Sequence, residues 1–219
     1  MTKTKRPIII WLYSGCFLIF CMVLLGGITR LTGSGLSITE WNVLMGTIPP
    51  LSQDAWQEVF SKNQQSPQFQ LVNFDMSLEE FKSIFWWEYL HRLIGRLTGI
   101  VFLLPFLYFY FTKQIDKPLL RRLIFLFALG ALQGLFGWLM VKSGLIDNPR
   151  VSHYRLALHM ITAFITFGFT FWFALERSVI AEKTTSVQIP GRSRIVAKSI
   201  LILLLVQIVY GALVAGLHA

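Results

Sequence analysis

Five stretches of this chain are each long and apolar enough to cross a lipid bilayer as an α-helix. A spanning helix needs about 20 mostly apolar residues, and the five stretches lie at residues 8–28, 85–111, 123–141, 156–175 and 199–217. Charged residues make up only 14% of the chain, too few for the surface of a soluble domain of this size. No stretch alternates as a barrel strand would. The sequence therefore predicts an all-α membrane protein, a four-helix transmembrane bundle with a fifth, trailing transmembrane helix.

Lysine and arginine are unevenly distributed between the two ends of these spans. They are concentrated in residues 3–6, 113–122 and 177–198, which all lie at the same end. Because basic loops stay in the cytoplasm, this bias predicts a cytoplasmic N-terminus. The net charge of +9 is then a topology signal, and lipid is expected as a partner while nucleic acid is not. The first span is too long for a cleavable signal, which favours a multi-pass protein of the bacterial plasma (inner) membrane.

The predicted external segment, residues 30–84, has order signals of its own. Ser77 and Glu80 form a capping box that predicts the start of a helix running without a break into the second span. Trp56, Val59 and Phe60 have amphipathic spacing behind Ser52, which indicates a short helix over the bundle mouth. Such a segment is either a surface cap or a lid that keeps water from a cofactor.

Ionisable side chains inside two spans are the candidate functional residues. Such groups are costly in a membrane and usually functional there. Glu88 and His91 are three residues apart and share a helix face. His159 lies at a similar depth in the fourth span, which runs in the same direction, so the two histidines are predicted to hold a haem iron from both sides. His153 and His218 are expected at the polar rim.

Arginines are predicted to surround this site, and glycines lie in the neighbouring helical spans. Arg92, Arg96 and Arg155 are candidate partners for haem propionates, because guanidinium groups pair bidentately with carboxylates. Arg96 lies deep enough to need a buried partner, either Glu88 or a propionate. Three glycines in the third span are predicted to serve close helix packing without a catalytic role, namely Gly130, Gly134 and Gly137.

Six segments of the chain carry a resemblance to one known family. They are Gly27-Ile-Thr-Arg-Leu-Thr-Gly-Ser-Gly-Leu-Ser37, Asn73-Phe-Asp-Met-Ser-Leu-Glu-Glu-Phe-Lys82, Trp87-Glu-Tyr-Leu-His-Arg-Leu-Ile-Gly-Arg96, Gln133-Gly-Leu-Phe-Gly-Trp138, Val141-Lys-Ser-Gly144 and Pro149-Arg-Val-Ser-His-Tyr-Arg-Leu-Ala-Leu-His159. Together they resemble the haem A synthases, in the branch that includes the mitochondrial enzymes, and the resemblance covers essentially the whole chain.

The resemblance implies an oxidoreductase of haem biosynthesis that oxidises the C8 methyl of haem O to a formyl group, giving haem A for terminal oxidases. It implies that Glu88 is a catalytic acid and that His91 and His159 are the axial pair of one haem site. Haem O would be the substrate, haem A the product and haem b a further cofactor. Haem O synthase is a partner that this activity suggests.

The chain departs from the family in length. Members typically have eight spans in two similar halves, each with a histidine pair. Residues 1–178 are therefore expected to be the four-helix haem-binding half, and residues 179–219 a cytoplasmic loop and the first helix of a missing second half. The partner would be that C-terminal half or a second copy of the chain. A fragment, one part of a split enzyme and an inactive remnant all stay open.

Two other protein classes are compatible with parts of the pattern. A b-type membrane cytochrome would use the same histidine pair only for electron transfer, because two axial imidazoles saturate the iron. A carboxylate-bridged di-iron protein also uses Glu-x-x-His motifs. That class needs two such motifs and further glutamates, and this chain has a single one at Glu88 and His91.

Overall fold

Long α-helices dominate the fold. The computed structural model describes residues 6–40, 48–146, 149–182 and 190–217. This part of the chain has no strand and forms α1 (Arg6–Leu31), a 3₁₀ turn (Ser34–Leu36), α2 (Gln53–Gln64), α3 (Pro67–Leu71), α4 (Leu78–Phe111), α5 (Lys117–Gly144), α6 (His153–Glu182) and α7 (Gly191–Leu217). The five longest helices, α1 and α4 to α7, are long and apolar enough to cross a membrane. The predicted all-α, multi-pass membrane architecture is thus confirmed.

Polar side chains cap the first turns of α4 and α5. At the start of α4, the Ser77 hydroxyl accepts a hydrogen bond from the Glu80 amide, and the Glu80 carboxylate accepts one from the Ser77 amide at 2.8 Å. The predicted capping box and the unbroken helix that follows it are both confirmed. Asp116 caps α5 in the same way by accepting from the Leu119 amide at 2.8 Å, and it also accepts two hydrogen bonds from Arg177 of α6.

Four helices form a bundle around a shared interior. In the described chain, α1 packs closely against α4 and α6, and α5 packs against α6. This gives the order α4–α1–α6–α5 around the bundle and makes α4 and α6 diagonal neighbours. Side chains close the remaining side near the end at which α1 begins, where the ring centroids of Phe102 and Phe127 are 6.2 Å apart.

The fifth long helix lies outside this ring. Helix α7 packs against α6, as expected for a trailing helix. It also meets the end of α1, where the Arg30 guanidinium donates from Nε to the Ala215 carbonyl at 3.1 Å and from Nη2 to the same oxygen.

The segment between α1 and α4 folds onto the first turns of α4. Helix α2 begins after its N-cap Ser52, as predicted. Its apolar face packs against α4 through aromatic contacts, including Trp56 on Phe85 with ring centroids 5.0 Å apart and Phe60 on Phe81 at 5.1 Å. The end of α1, the start of α4, the end of α5 and the start of α6 all lie at this end of the bundle, which we call the site end.

Candidate functional site

The Glu88 carboxylate lies at the centre of a buried hydrogen-bond network at the site end. Its Oε2 accepts from the Ser37 hydroxyl at 2.7 Å and from the Ile38 amide at 2.9 Å. Its Oε1 accepts from Arg92 Nε at 3.0 Å and Arg92 Nη2 at 2.6 Å. Three of these four donors are N–H groups that cannot accept, so the geometry fits the ionised carboxylate. Glu88 and Arg92 form an ion pair with side chains only 4% and 12% exposed.

Arg92 also holds the chain that follows the 3₁₀ turn. Its Nη1 donates to the Glu40 carbonyl at 3.0 Å and its Nη2 to the Ile38 carbonyl at 2.9 Å. From α2, the Asn63 side-chain amide donates to the Ser37 carbonyl at 3.2 Å. Residues 37–40 are therefore fixed onto α4 and α2 by polar contacts, with the Glu88–Arg92 pair at their centre.

The 3₁₀ turn that delivers this segment depends on one glycine. Gly33 caps the turn with φ of +66°, a left-handed conformation that costs glycine little and other residues more. The turn brings Ser34 and Ser37 to buried positions, 0% and 1% exposed respectively. The turn formed by Gly33-Ser-Gly-Leu-Ser37 thus brings the Ser37 hydroxyl and the Ile38 amide within hydrogen-bond distance of Glu88.

The two candidate histidines lie on diagonal helices, each against a glycine of a neighbouring helix. A Cβ at Gly26 of α1 would lie 3.4 Å from His91 Cε1, and a Cβ at Gly137 of α5 would lie 3.0 Å from His159 Cε1. Both Nδ1 atoms are buried and have no hydrogen-bond partner among the described residues. Buried, unpartnered nitrogens on facing helices fit the ligation of one haem iron from both sides.

The other predicted site residues lie around this pair. Arg92 is engaged by Glu88 and two carbonyls, as described above. Arg155 is exposed and donates from Nη1 to the Leu139 carbonyl at 2.7 Å, which joins α6 to α5. Arg96 lies about one turn beyond Arg92 on α4 and is half-buried. His153, expected at the polar rim, is the first residue of α6, with its ring 4.0 Å from that of Tyr154. His218 lies outside the described residues.

A cavity opens at the site end between α4, residues 38–40 and the last turns of α5. Its volume is about 290 Å³, and it is lined by Ile38, Thr39, Glu40, Arg92, Trp138, Val141, Lys142, Leu145 and Ile146. Arg92 directly follows His91 in the chain, and Trp138 directly follows Gly137, on which His159 packs. The cavity therefore lies at about the level of His91 along α4 and of Gly137 along α5, and neither histidine is among its lining residues.

Comparison with known proteins gives a consistent result. The cytochrome oxidase assembly protein family COX15-CtaA matches residues 9–219. The chain is 48% identical over 219 residues to a haem A synthase of Flavobacterium psychrophilum, covering 99% of this chain and 63% of that protein. It is 58% identical over 172 residues to a haem A synthase of Nitrosospira multiformis, covering 78% and 48%. No solved structure shows significant similarity.

The chain belongs to the COX15-CtaA family. It spans about half to two thirds of the length of these curated relatives. The expectation drawn from its motifs is thereby confirmed at the level of the family. The di-iron interpretation has no support from the fold, because the described residues contain no group of three or more His, Cys, Asp or Glu side chains that could hold a metal ion.

Sequence reasoning missed the residues that position the site. Ser37 was visible only as the last residue of a glycine-rich run. Asn63, which no sequence pattern singled out, is 3% exposed, and its side-chain amide donates to the Ser37 carbonyl. Gly137 was interpreted as a packing glycine, and the helix face that it presents in fact accommodates His159. Gln133, one turn earlier on α5, donates to the His159 carbonyl at 3.0 Å.

Loss of the Arg92 guanidinium is expected to destabilise the fold strongly. Arg92→Ala leaves the Glu88 carboxylate buried without its counter-charge, which costs about 3–5 kcal/mol. Arg155→Ala is the matched control, because Arg155 is exposed and bonds only to a carbonyl in the described structure. Unfolding in detergent, followed by circular dichroism, measures both variants. Equal small losses in the two variants would contradict the central role of the ion pair.

Gly137→Ala and Gly134→Ala are expected to differ although they lie one turn apart on α5. The new methyl at residue 137 would contact the His159 imidazole at 3.0 Å, whereas nothing lies within 4 Å of a Cβ at residue 134. Overpacking of this kind costs about 1–3 kcal/mol, while alanine at the open position is neutral or favourable for the helix. The free energy of unfolding of each variant in the same detergent tests this, and identical values would show that His159 does not depend on Gly137.

Proposed function

We propose that this chain is the haem-binding part of a haem A synthase, an oxidoreductase that converts the C8 methyl of haem O to a formyl group. The observation that carries the proposal is the pair of buried imidazoles, His91 and His159, on diagonal helices with unpartnered Nδ1 atoms. Family membership supports it, as do several relatives named for the synthesis of haem A. Haem O is the substrate, haem A the product, and haem b a cofactor that the same pair would hold.

In this proposal His91 and His159 would hold the haem iron, and Glu88 would exchange a proton at the substrate. A bound haem would supply the iron and the methyl carbon that is oxidised. Glu88 already accepts four hydrogen bonds, so taking up a proton requires one of its partners to give way. The Ser37 hydroxyl is the partner able to do so, because a hydroxyl can turn from donor to acceptor while N–H groups cannot. Ser37 is thus a proton-coupled partner of Glu88.

A b-type cytochrome that only transfers electrons is the second candidate. The observation that favours it is the same saturated network, because a carboxylate with four donors and a buried arginine partner also fits a purely structural role. The two candidates share the histidine pair and differ in the role of Glu88.

The proposal extends to the organisation and partners of the chain. Residues 1–178 are the haem-binding unit, and residues 179–219 lead into a second unit that begins with α7. Haem O synthase, a separate second half and a second copy of this chain are the proposed partners. The bias of lysine and arginine supports a cytoplasmic N-terminus in a bacterial plasma membrane, with the site end outside.

Haem ligation predicts a low-spin spectrum that needs both histidines. The purified chain loaded with haem is expected to show bis-imidazole absorption, and His91→Ala or His159→Ala is each expected to abolish it because the iron loses one axial nitrogen. His153→Ala is the control and is expected to keep the spectrum. Absorption and electron paramagnetic resonance spectra measure the spin state. A wild-type spectrum in either of the first two variants would rule out the pair.

Glu88→Gln separates the two candidate functions. Glutamine keeps the shape of the side chain but cannot act as a proton acceptor in the reaction. The synthase proposal expects normal haem content with haem O accumulating and no haem A, assayed by chromatography of extracted haems from cells that carry the complete enzyme. Ser37→Ala is expected to give a partial loss. Full production of haem A by Glu88→Gln would exclude the catalytic role, and loss of the folded protein would support the structural one.

The proposed orientation predicts which loops can be labelled from outside. In a background lacking Cys16 and Cys21, a cysteine at exposed Gln65 is expected to react with a membrane-impermeant maleimide in intact spheroplasts. A cysteine at Gln114, between α4 and α5, is expected to react only after lysis. The reverse pattern would move the site end to the cytoplasm.

A further inference from the structure

The cavity at the site end contains one cation whose charge no described group neutralises. Of its charged lining residues, Arg92 is paired with Glu88, and Glu40 lies 3.1 Å from Lys62 in a second ion pair. The Lys142 ammonium lies over the Trp138 ring, 5.0 Å from its centroid, and has no carboxylate partner among the described residues. A positive charge is therefore directed towards a space otherwise lined mainly by apolar side chains.

Helix geometry sets Lys142 in a defined relation to the histidine pair. Trp138 and Lys142 are four residues apart on α5 and share a face. Gly137, on which His159 packs, precedes Lys142 by five residues, which corresponds to about 7.5 Å along the helix axis and about 140° around it. Lys142 therefore lies on the cavity side of α5, between one and two turns from the level of His159.

We propose that Lys142 binds a carboxylate of the ligand, namely a propionate of the haem, and that Trp138 orients the ammonium for it. This assignment rests on the proposed function, since it identifies the group that recognises the acidic edge of the same ligand. It replaces the expectation that Arg92 and Arg155 bind the propionates, because both guanidinium groups already donate to protein oxygens. The chemistry recognised is a flat apolar body with an anionic edge, which matches the apolar lining beside the lysine.

Binding of haem b and of its dimethyl ester tests this assignment. The ester has the same ring and iron but no carboxylate charge. In detergent, with the haem-free full chain, Lys142→Gln is expected to bind haem b about fivefold more weakly than the wild type, the upper range for a partly exposed ion pair. Its affinity for the ester is expected to be unchanged, and Lys142→Arg is expected to retain affinity for haem b. Lys82→Gln is the matched control, because Lys82 also lies over a tryptophan, Trp56 at 5.7 Å, outside the cavity.

The outcomes separate this assignment from the proposed function. Equal affinity of the wild type and Lys142→Gln for haem b would overturn the role of Lys142 and leave the histidine pair intact. Equal weakening for haem b and for the ester would show that Lys142 acts through cavity shape, which also overturns the assignment. Failure of the wild-type chain to bind either compound would refute the proposed haem site and this assignment together. Binding of the ester by the variant shows that its site is folded.

Discussion

The ion pair between Glu88 and Arg92 is the contact on which the site end depends. Burying a carboxylate and a guanidinium costs several kcal/mol for each ion. Hydrogen bonds to charged groups contribute about 1.5–3 kcal/mol each, and Glu88 accepts four of them. Ser37 and the Ile38 amide supply two of these four bonds, so burial of the pair favours the arrangement in which residues 37–40 lie against α4. That arrangement in turn forms a wall of the cavity.

Sequence patterns predicted the structural elements that are determined by residues close together in the chain. Apolar length predicts the five long helices, and the Ser77 capping box predicts the start of α4. The depth of His91 and His159 in spans of the same direction predicts that they face each other, and they do lie on diagonal helices of the bundle. These features depend on hydrophobicity, capping and helix periodicity, which operate over a few residues.

Contacts between residues far apart in the chain could not be predicted from such patterns. Ser37 meets Glu88 across 51 residues of sequence, and only the fold of the 3₁₀ turn and α2 brings them together. The guanidinium groups illustrate the same limit: sequence predicts cations near the site, but the backbone carbonyls that already occupy Arg92 and Arg155 exist only in the folded chain. The proposal for Lys142 depends on the same kind of information, because its place beside the cavity follows only from the fold.

All four helices of the bundle contribute either a histidine of the pair or a glycine on which one of the histidines packs. His91 comes from α4 and rests on Gly26 of α1, while His159 comes from α6 and rests on Gly137 of α5. A ring nitrogen held this way is positioned by packing alone, since neither Nδ1 has a described hydrogen-bond partner to orient it. The imidazoles therefore depend on the spacing of helix backbones, and a change in that spacing moves the ligand positions directly. Helix α7 contacts α6 and the end of α1 without supplying either glycine. The geometry of the pair is thus a property of the four-helix bundle, which supports the proposal that residues 1–178 form a haem-binding unit.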